Sequence, residues 1–236
     1  MRLLVTRPEP DALALKARLE RMGHEATVAP LLTVTFENAE PIDLTEVHAL
    51  IATSRNGLKA LKAQGVHRAA AQMPIYVVGD ATARDAQALG FQTIIVGGGT
   101  VASLVPEIVA TADPQFDVLM HLAGDDLAGQ LANELELHGF RLMQPVVYRM
   151  LSTMAFTPDV EEQLETGEID GVLLMSPRTA AVYADLIAGH GLEKSSKRLN
   201  HYCLSRAVAQ RLAPLAPVRV ELAQAPNLNA LLDLLE

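Results

Sequence analysis

"LLVTRPEPDALALKARLERMGHEATVAPLL" (residues 3–32) decides the fold, because "LMHLAGDDLAGQLANELELHGFRLMQPVV" (119–147) repeats it. With a shift of 116 positions, Leu3, Ala12, Leu15, Leu19 and Gly23 fall on Leu119, Ala128, Leu131, Leu135 and Gly139. One residue shorter, Pro30 then meets Pro145. Each copy reads as an apolar strand, a loop, an amphipathic helix of period 3.6 ended by Gly, and a second strand. Two fainter repeats follow. "ALIATSRN" (49–56) resembles "GVLLMSPR" (171–178), and "IYVVGDATARDAQAL" (75–89) resembles "HYCLSRAVAQRLAPL" (201–215). Runs of strand-then-helix units predict parallel sheets with right-handed crossovers, here an α/β fold of two doubly wound domains rather than one barrel.

Two partitions fit this pattern. The chain divides into halves near "ATADPQ" (110–115), or it leaves the first domain once and returns once. The second case needs the extended stretches "PLLTVTFENAEP" (30–41) and "QPVVYRMLSTMAF" (144–156) to lie side by side. The first domain would then hold residues 1–34 plus 152–236 and the second 37–147, with linkers near 33–37 and 147–152. The residues alone leave both open.

Composition narrows the function classes. The 236 residues are 50% hydrophobic but only 4% aromatic, so the core is built from Ala, Val, Leu and Ile, which suits helices on a buried parallel sheet. With 28 acidic against 19 basic residues, a general nucleic-acid or membrane-surface binder is not expected. The single cysteine, Cys203, permits no disulfide framework and no zinc spacing. No signal peptide or membrane-spanning run is read, so the expectation is a cytoplasmic protein.

In open parallel sheets, ligands bind where strand carboxyl ends meet helix N-termini. Six such ends are "TRP" (6–8), "TSRNG" (53–57), "GDAT" (79–82), "LAGDD" (122–126), "SPRT" (176–179) and "LSRA" (204–207). Arg7, Arg55, Arg178 and Arg206 stand at four of them, each beside Ser or Thr. Amides, hydroxyls and guanidinium groups together suit a carboxylate or phosphate. The same Ser, Thr and Asp residues also make good helix caps.

Other signals fall short. "VGGGTVASL" (96–104) lacks the third Gly of a dinucleotide fingerprint and the Lys of a phosphate loop, and reads as a turn. The seven histidines are scattered without ligand spacing, so no metal site is expected. The paired carboxylates of "LAGDD" are better explained by capping than as a receiver-type phosphoacceptor, and no nucleophile elbow occurs.

These stretches together resemble the uroporphyrinogen-III synthase family over essentially the whole chain. The likeness is carried by "LLVTRP", the "LxxxGH" helix end, "APLL" (29–32), "IATSRNGL" (51–58), "VVGDATA" (77–83), "LAGDD" (122–126), "VVYR" (146–149) and "GEIDGVLLMSPRT" (167–179). The resemblance implies two flavodoxin-like α/β domains joined by a two-stranded linker, which selects the discontinuous partition. It also implies closure of linear hydroxymethylbilane to uroporphyrinogen III, with inversion of the last ring, loss of water and no cofactor. Hydroxymethylbilane closes unaided to the uninverted isomer, so such an enzyme works mainly by holding a conformation.

By the same resemblance, Tyr148 is the catalytic candidate, assisting departure of the hydroxyl to leave an azafulvene-type cation. Ser54, Thr82 and Ser176 match positions implicated in substrate contact. Arg7, Arg55 and Arg178 are added from their location, and Ser205 from the last strand end. Where the family often reads "IGPTTA", this chain has "CLSRAVA" (203–209), which puts Val208 where a hydroxyl is usual. Strand alternation separates Arg149 from Tyr148, leaving Arg149 to a linker salt bridge.

A monomer is expected, with a transient hand-over of substrate from the preceding pathway enzyme. The rival reading is a two-lobed binding protein for an anionic ligand. A nucleotide-dependent transferase would need a convincing phosphate loop. Assay with fresh hydroxymethylbilane separates these readings.

Overall fold

The computed structural model describes residues 1–9, 11–125, 130–217 and 219–236, and of Gln130 only the backbone. In chain order, β1 (Arg2–Val5), α1 (Asp11–Arg21) and β2 (Glu25–Val28) open the molecule, followed by β3 (Leu32–Thr35). Next come β4 (Ala49–Ala52), α2 (Arg55–Ala63), α3 (His67–Ala70), β5 (Ile75–Val77), α4 (Asp80–Ala88), β6 (Ile94–Val96) and α5 (Leu104–Thr111). β7 (Val118–His121), β8 (Ala123–Gly124), α6 (Gln130–Leu137), β9 (Arg141–Met143) and β10 (Val146–Ser152) follow. The chain ends with α7 (Pro158–Thr166), β11 (Gly171–Leu174), α8 (Pro177–Gly189), α9 (Glu193–Ser196), β12 (Asn200–Cys203), α10 (Arg206–Gln210), β13 (Val220–Leu222) and α11 (Leu228–Leu232).

Contacts divide these elements into two compact units, Met1–Thr33 with Leu151–Glu236, and Val34–Met150. The first unit holds a parallel sheet of order β13-β12-β11-β1-β2, the second a parallel sheet of order β6-β5-β4-β7-β9. These are one strand order with the chain entering at a different point. β1, β2, β11, β12 and β13 stand where β7, β9, β4, β5 and β6 stand in the other unit. β3 and β10, through which the chain passes from one unit to the other, are neighbours in a third sheet of order β3-β10-β8.

The burial of β4 shows why its sequence is continuously apolar. Leu50 and Ala52 join a core with Leu58, Leu61, Ile75 and Met120, whereas Ala49 and Ile51 join a second core with Leu104, Ile108, Leu131 and Leu135. Alternate residues feed opposite faces, and helices cover both. α1 buries Ala12, Leu15 and Leu19 in the same way, one stripe of a helix laid on β1 and β2. Gly23 and Gly139, paired in the repeat, both take the left-handed conformation (φ 83° each) after α1 and α6, which Gly adopts without a side-chain penalty. Of the repeat, Ala128 lies outside the described residues. Among the described residues, no helix is long and apolar enough to cross a membrane.

Candidate active site

The switch point of each sheet lies where chain direction around the sheet reverses, between β1 and β11 in the first unit and between β4 and β7 in the second. The sequence-predicted residues fall at or near the carboxyl ends of these and neighbouring strands. Ser54, Arg55, Thr82 and Tyr148 belong to the second unit; Arg7, Ser176, Arg178 and Ser205 belong to the first.

In the second unit, Tyr148 of β10 pairs with Gly124 of β8 in parallel register. Its ring lies directly on that glycine. A Cβ at Gly124 would come within 2.6–2.8 Å of the tyrosine Cζ, Cε2 and Oη atoms. Glycine at 124 is therefore what lets the ring lie this close to the chain. Tyr148 is half-buried against the core that contains Leu58 and Leu122. The surrounding backbone is tied down as well: Asp125 N–H donates to the Tyr148 carbonyl (3.2 Å), and Met150 N–H donates to Asp125 Oδ1 (3.1 Å). Asp125, read from sequence as a helix cap, thus holds the strand that carries Tyr148. Its neighbour Asp126 lies outside the described residues.

Ser54 is the N-cap of α2, its hydroxyl accepting from Asn56 N–H at 3.2 Å. Gly57, one turn into that helix, sits against Leu122, where a Cβ would meet the Leu122 carbonyl oxygen at 2.8 Å. Arg55 is committed to Asp85 of α4, with Nε and Nη2 reaching the two carboxylate oxygens. Sequence reading missed that partner, which lies thirty residues away. Thr82 is buried in the first turn of α4 (7% exposed).

In the first unit, Ser176 caps α8, accepting from Thr179 N–H (3.1 Å), with the two hydroxyls 2.8 Å apart. Arg7 forms an ion pair with Asp11 one turn on (2.9 Å) and is half-buried. Arg178 follows Pro177 in the first turn of α8, also half-buried. Ser205 precedes α10 without a side-chain capping bond. Val208 is buried (1% exposed), the third residue of its helix as Thr82 is of α4. Arg149 is a half-buried strand residue that forms no ion pair among the described residues, so the linker salt bridge expected of it is not found there.

One cluster escaped the sequence reading. His121, the last residue of β7, is buried (6% exposed), with Nε2 at 2.9 Å from Thr53 Oγ1 and Nδ1 at 3.0 Å from Gln144 Nε2. Burial pushes its pKa down to about 4, so the ring is neutral at pH 7. Scanning histidines for metal spacing passes over it. The repeat itself carried the signal, since His121 falls on Val5. A second buried histidine, His201, lies at the other end of its sheet, near the start of β12. It is bonded to Ser196 Oγ (3.2 Å) and the Arg219 carbonyl (3.1 Å), and burial likewise lowers its pKa. Among the described residues, no group of three or more His, Cys, Asp or Glu side chains is placed to hold a metal ion.

Fold and strand ends together define a doubly wound α/β protein of two like units, with hydroxyls, guanidinium groups and one seated tyrosine at or near the carboxyl ends of strands. The family model of uroporphyrinogen-III synthase HemD matches residues 14–233. The chain belongs to that family, the cyclising lyases of tetrapyrrole (haem) biosynthesis. Among solved structures it is similar to the uroporphyrinogen-III synthetase of Helicobacter pylori, with 19% identity and a TM-score of 0.67 over 100% of this chain and 98% of that one. A mutant uroporphyrinogen III synthase of Thermus thermophilus matches with 21% identity and a TM-score of 0.54, over 100% and 97%. At these identities the likeness speaks for the fold. Among curated proteins, none matches significantly.

Proposed function

We propose that this chain closes hydroxymethylbilane to uroporphyrinogen III, with Tyr148 as its catalytic residue. The observation that carries the reading is the seat of Tyr148 on Gly124, beside the carboxyl ends of the second unit's sheet and within a family of cyclising lyases. In the reaction the hydroxymethyl C–O bond breaks as the Tyr148 hydroxyl protonates the departing oxygen, which leaves as water. The substituted carbon of the terminal ring bonds to the azafulvene-type cation to give a spiro intermediate, its old bond to the neighbouring bridge carbon breaks, that bridge carbon bonds to the free α-carbon of the now inverted ring, and the proton lost there restores the Tyr148 hydroxyl. Little acid–base chemistry is asked of the protein, and positioning supplies much of the rate.

Ser54, Thr82, Ser176 and Ser205 are the hydroxyls proposed for the substrate, and Arg7, Arg55 and Arg178 the cations for its carboxylates. Two of these hydroxyls already serve as helix caps. Ser54 contacts substrate through the proton it retains, since its cap uses the oxygen only as acceptor, whereas the Ser176 hydroxyl is shared with Thr179 Oγ1 at 2.8 Å. Arg55 shares its charge with Asp85, and Arg7 with Asp11. A monomer in the cytoplasm that takes substrate directly from the preceding enzyme completes the reading. Size-exclusion chromatography with light scattering checks the first point. The function is tested by incubating the protein with freshly generated hydroxymethylbilane and resolving the oxidised porphyrin isomers. Isomer III is expected; isomer I alone sinks the proposal.

A further inference from the structure

Thr53, His121 and Gln144 form a chain of hydrogen bonds across the carboxyl end of the second unit's sheet. Its direction follows from chemistry. The Gln144 amide nitrogen only donates, so His121 Nδ1 accepts, and the neutral ring carries its proton on Nε2. His121 therefore donates to Thr53 Oγ1, and the Thr53 hydroxyl proton is turned away from the ring as a free donor direction.

The other unit supplies an internal control. Ile51 pairs with His121 as Leu173 pairs with Val5, and Met120 pairs with Met143 as Leu4 pairs with Thr27. The places of Thr53, His121 and Gln144 are thus held in the first unit by Met175, Val5 and Val28. The same strand order forms there with apolar residues, Val5 being fully buried. Burying an imidazole costs desolvation that its hydrogen bonds offset at best, so the scaffold gains nothing evident from the polar set. What differs between the two switch points is what they hold in place. Thr53 immediately precedes the Ser54 cap. His121 opens the segment Leu122–Gly124, on which Gly57 of α2 and the Tyr148 ring both rest.

We infer that His121 is a positioning residue for the ring-inverting closure: through Thr53 it ties the turn that bears Ser54 to the segment that seats Tyr148, and it sets the Thr53 hydroxyl as a donor. The inference rests on the proposed function and deepens it. The test compares His121→Leu, His121→Gln and Thr53→Val in the full chain, measuring kcat and KM separately with hydroxymethylbilane and normalising to folded protein by thermal melts. His121→Leu and Thr53→Val are expected to lower kcat roughly ten- to fiftyfold while KM changes by less than about threefold, the signature of misplacement rather than lost binding. His121→Gln, whose amide N–H reaches the place of Nε2, should recover kcat to within about fivefold of wild type. The double variant His121→Leu with Thr53→Val should be no worse than its worse parent, because the two residues act as one unit. A His121→Leu protein that melts cooperatively with wild-type kcat overturns the inference, as does a glutamine variant no better than the leucine one. Should His121→Leu fail to fold, Thr53→Val, which keeps the side-chain volume, decides the matter by the same criterion. Wild-type protein that forms no isomer III overturns the function and this inference together, whereas active wild type with unaffected variants overturns this inference alone.

Discussion

The two α/β units share one strand order but load it differently. In the first unit the switch point between β1 and β11 is dressed with Val5, Met175 and the capping Ser176, and its buried histidine, His201, sits at the far end of the sheet. In the second unit the corresponding point between β4 and β7 carries His121, Thr53 and Ser54, with Tyr148 seated on Gly124 nearby. A fold repeated within one chain separates what the scaffold requires from what it merely carries. Leucines, left-handed glycines and the serine cap (Ser54 and Ser176) recur in both copies; the Thr53–His121–Gln144 set occurs in one. On the proposed function, the chemistry belongs to the second unit and a share of substrate binding to the first.

The sharpest way to break that assignment is a pair of glycine substitutions, one per unit. Gly124→Ala forces the Tyr148 ring off its seat and should lower kcat about a hundredfold, in line with an angstrom of misplacement. Gly171→Ala, whose Cβ would meet the Asn200 carbonyl oxygen at 3.0 Å and the Tyr202 ring at 2.7 Å, should instead destabilise by about 1–3 kcal/mol with turnover per folded molecule unchanged. Steady-state kinetics beside denaturant melts distinguish the two. Tyr148→Phe comes next, with kcat down about tenfold to a hundredfold in a protein that still melts cooperatively, because the ring stays seated while its hydroxyl is lost.

The histidines give a pH test. A buried neutral histidine has its folded pKa below its unfolded value, so its stabilising contribution is complete above pH 6.5 and is lost as pH falls toward the folded pKa. For His121, with a folded pKa of about 4, the loss between pH 6.5 and 4 amounts to about 3 kcal/mol. In the His121→Gln protein that part of the acid sensitivity should vanish, while the part due to His201 remains. Urea melts at pH 7 and pH 4.5 measure the difference. The smallest effect is expected at Val208→Thr, which buries a new hydroxyl and should cost about 1–2 kcal/mol without raising turnover. A gain in activity there would return a substrate contact to the first unit.

The fold was legible because its signals are local and repeated. Leu15 and Leu131, or Gly23 and Gly139, declare a helix and its end within one window, and the apolar run at 49–52 declares a strand buried on both faces. At the candidate site, Ser54 and Ser176 are marked by their residue type at a strand end, whereas Tyr148, inside β10, is marked only by the family resemblance. Long-range pairing was not legible. Nothing in the sequence around Arg55 announces Asp85, and Arg149 has no carboxylate among the described residues although its place in a linker invited one. Burial decides charge in the same way: His121 reads as one scattered histidine until Thr53 and Gln144 are seen to close around it.

The most direct test of the assignment is a single-turnover isomer analysis of the Gly124→Ala protein, with enzyme in excess over hydroxymethylbilane. If the seat of Tyr148 in the second unit governs closure, the folded variant leaves mostly the uninverted isomer I, because spontaneous closure overtakes the impaired enzyme. Isomer III formed at the wild-type rate by that protein would contradict the account.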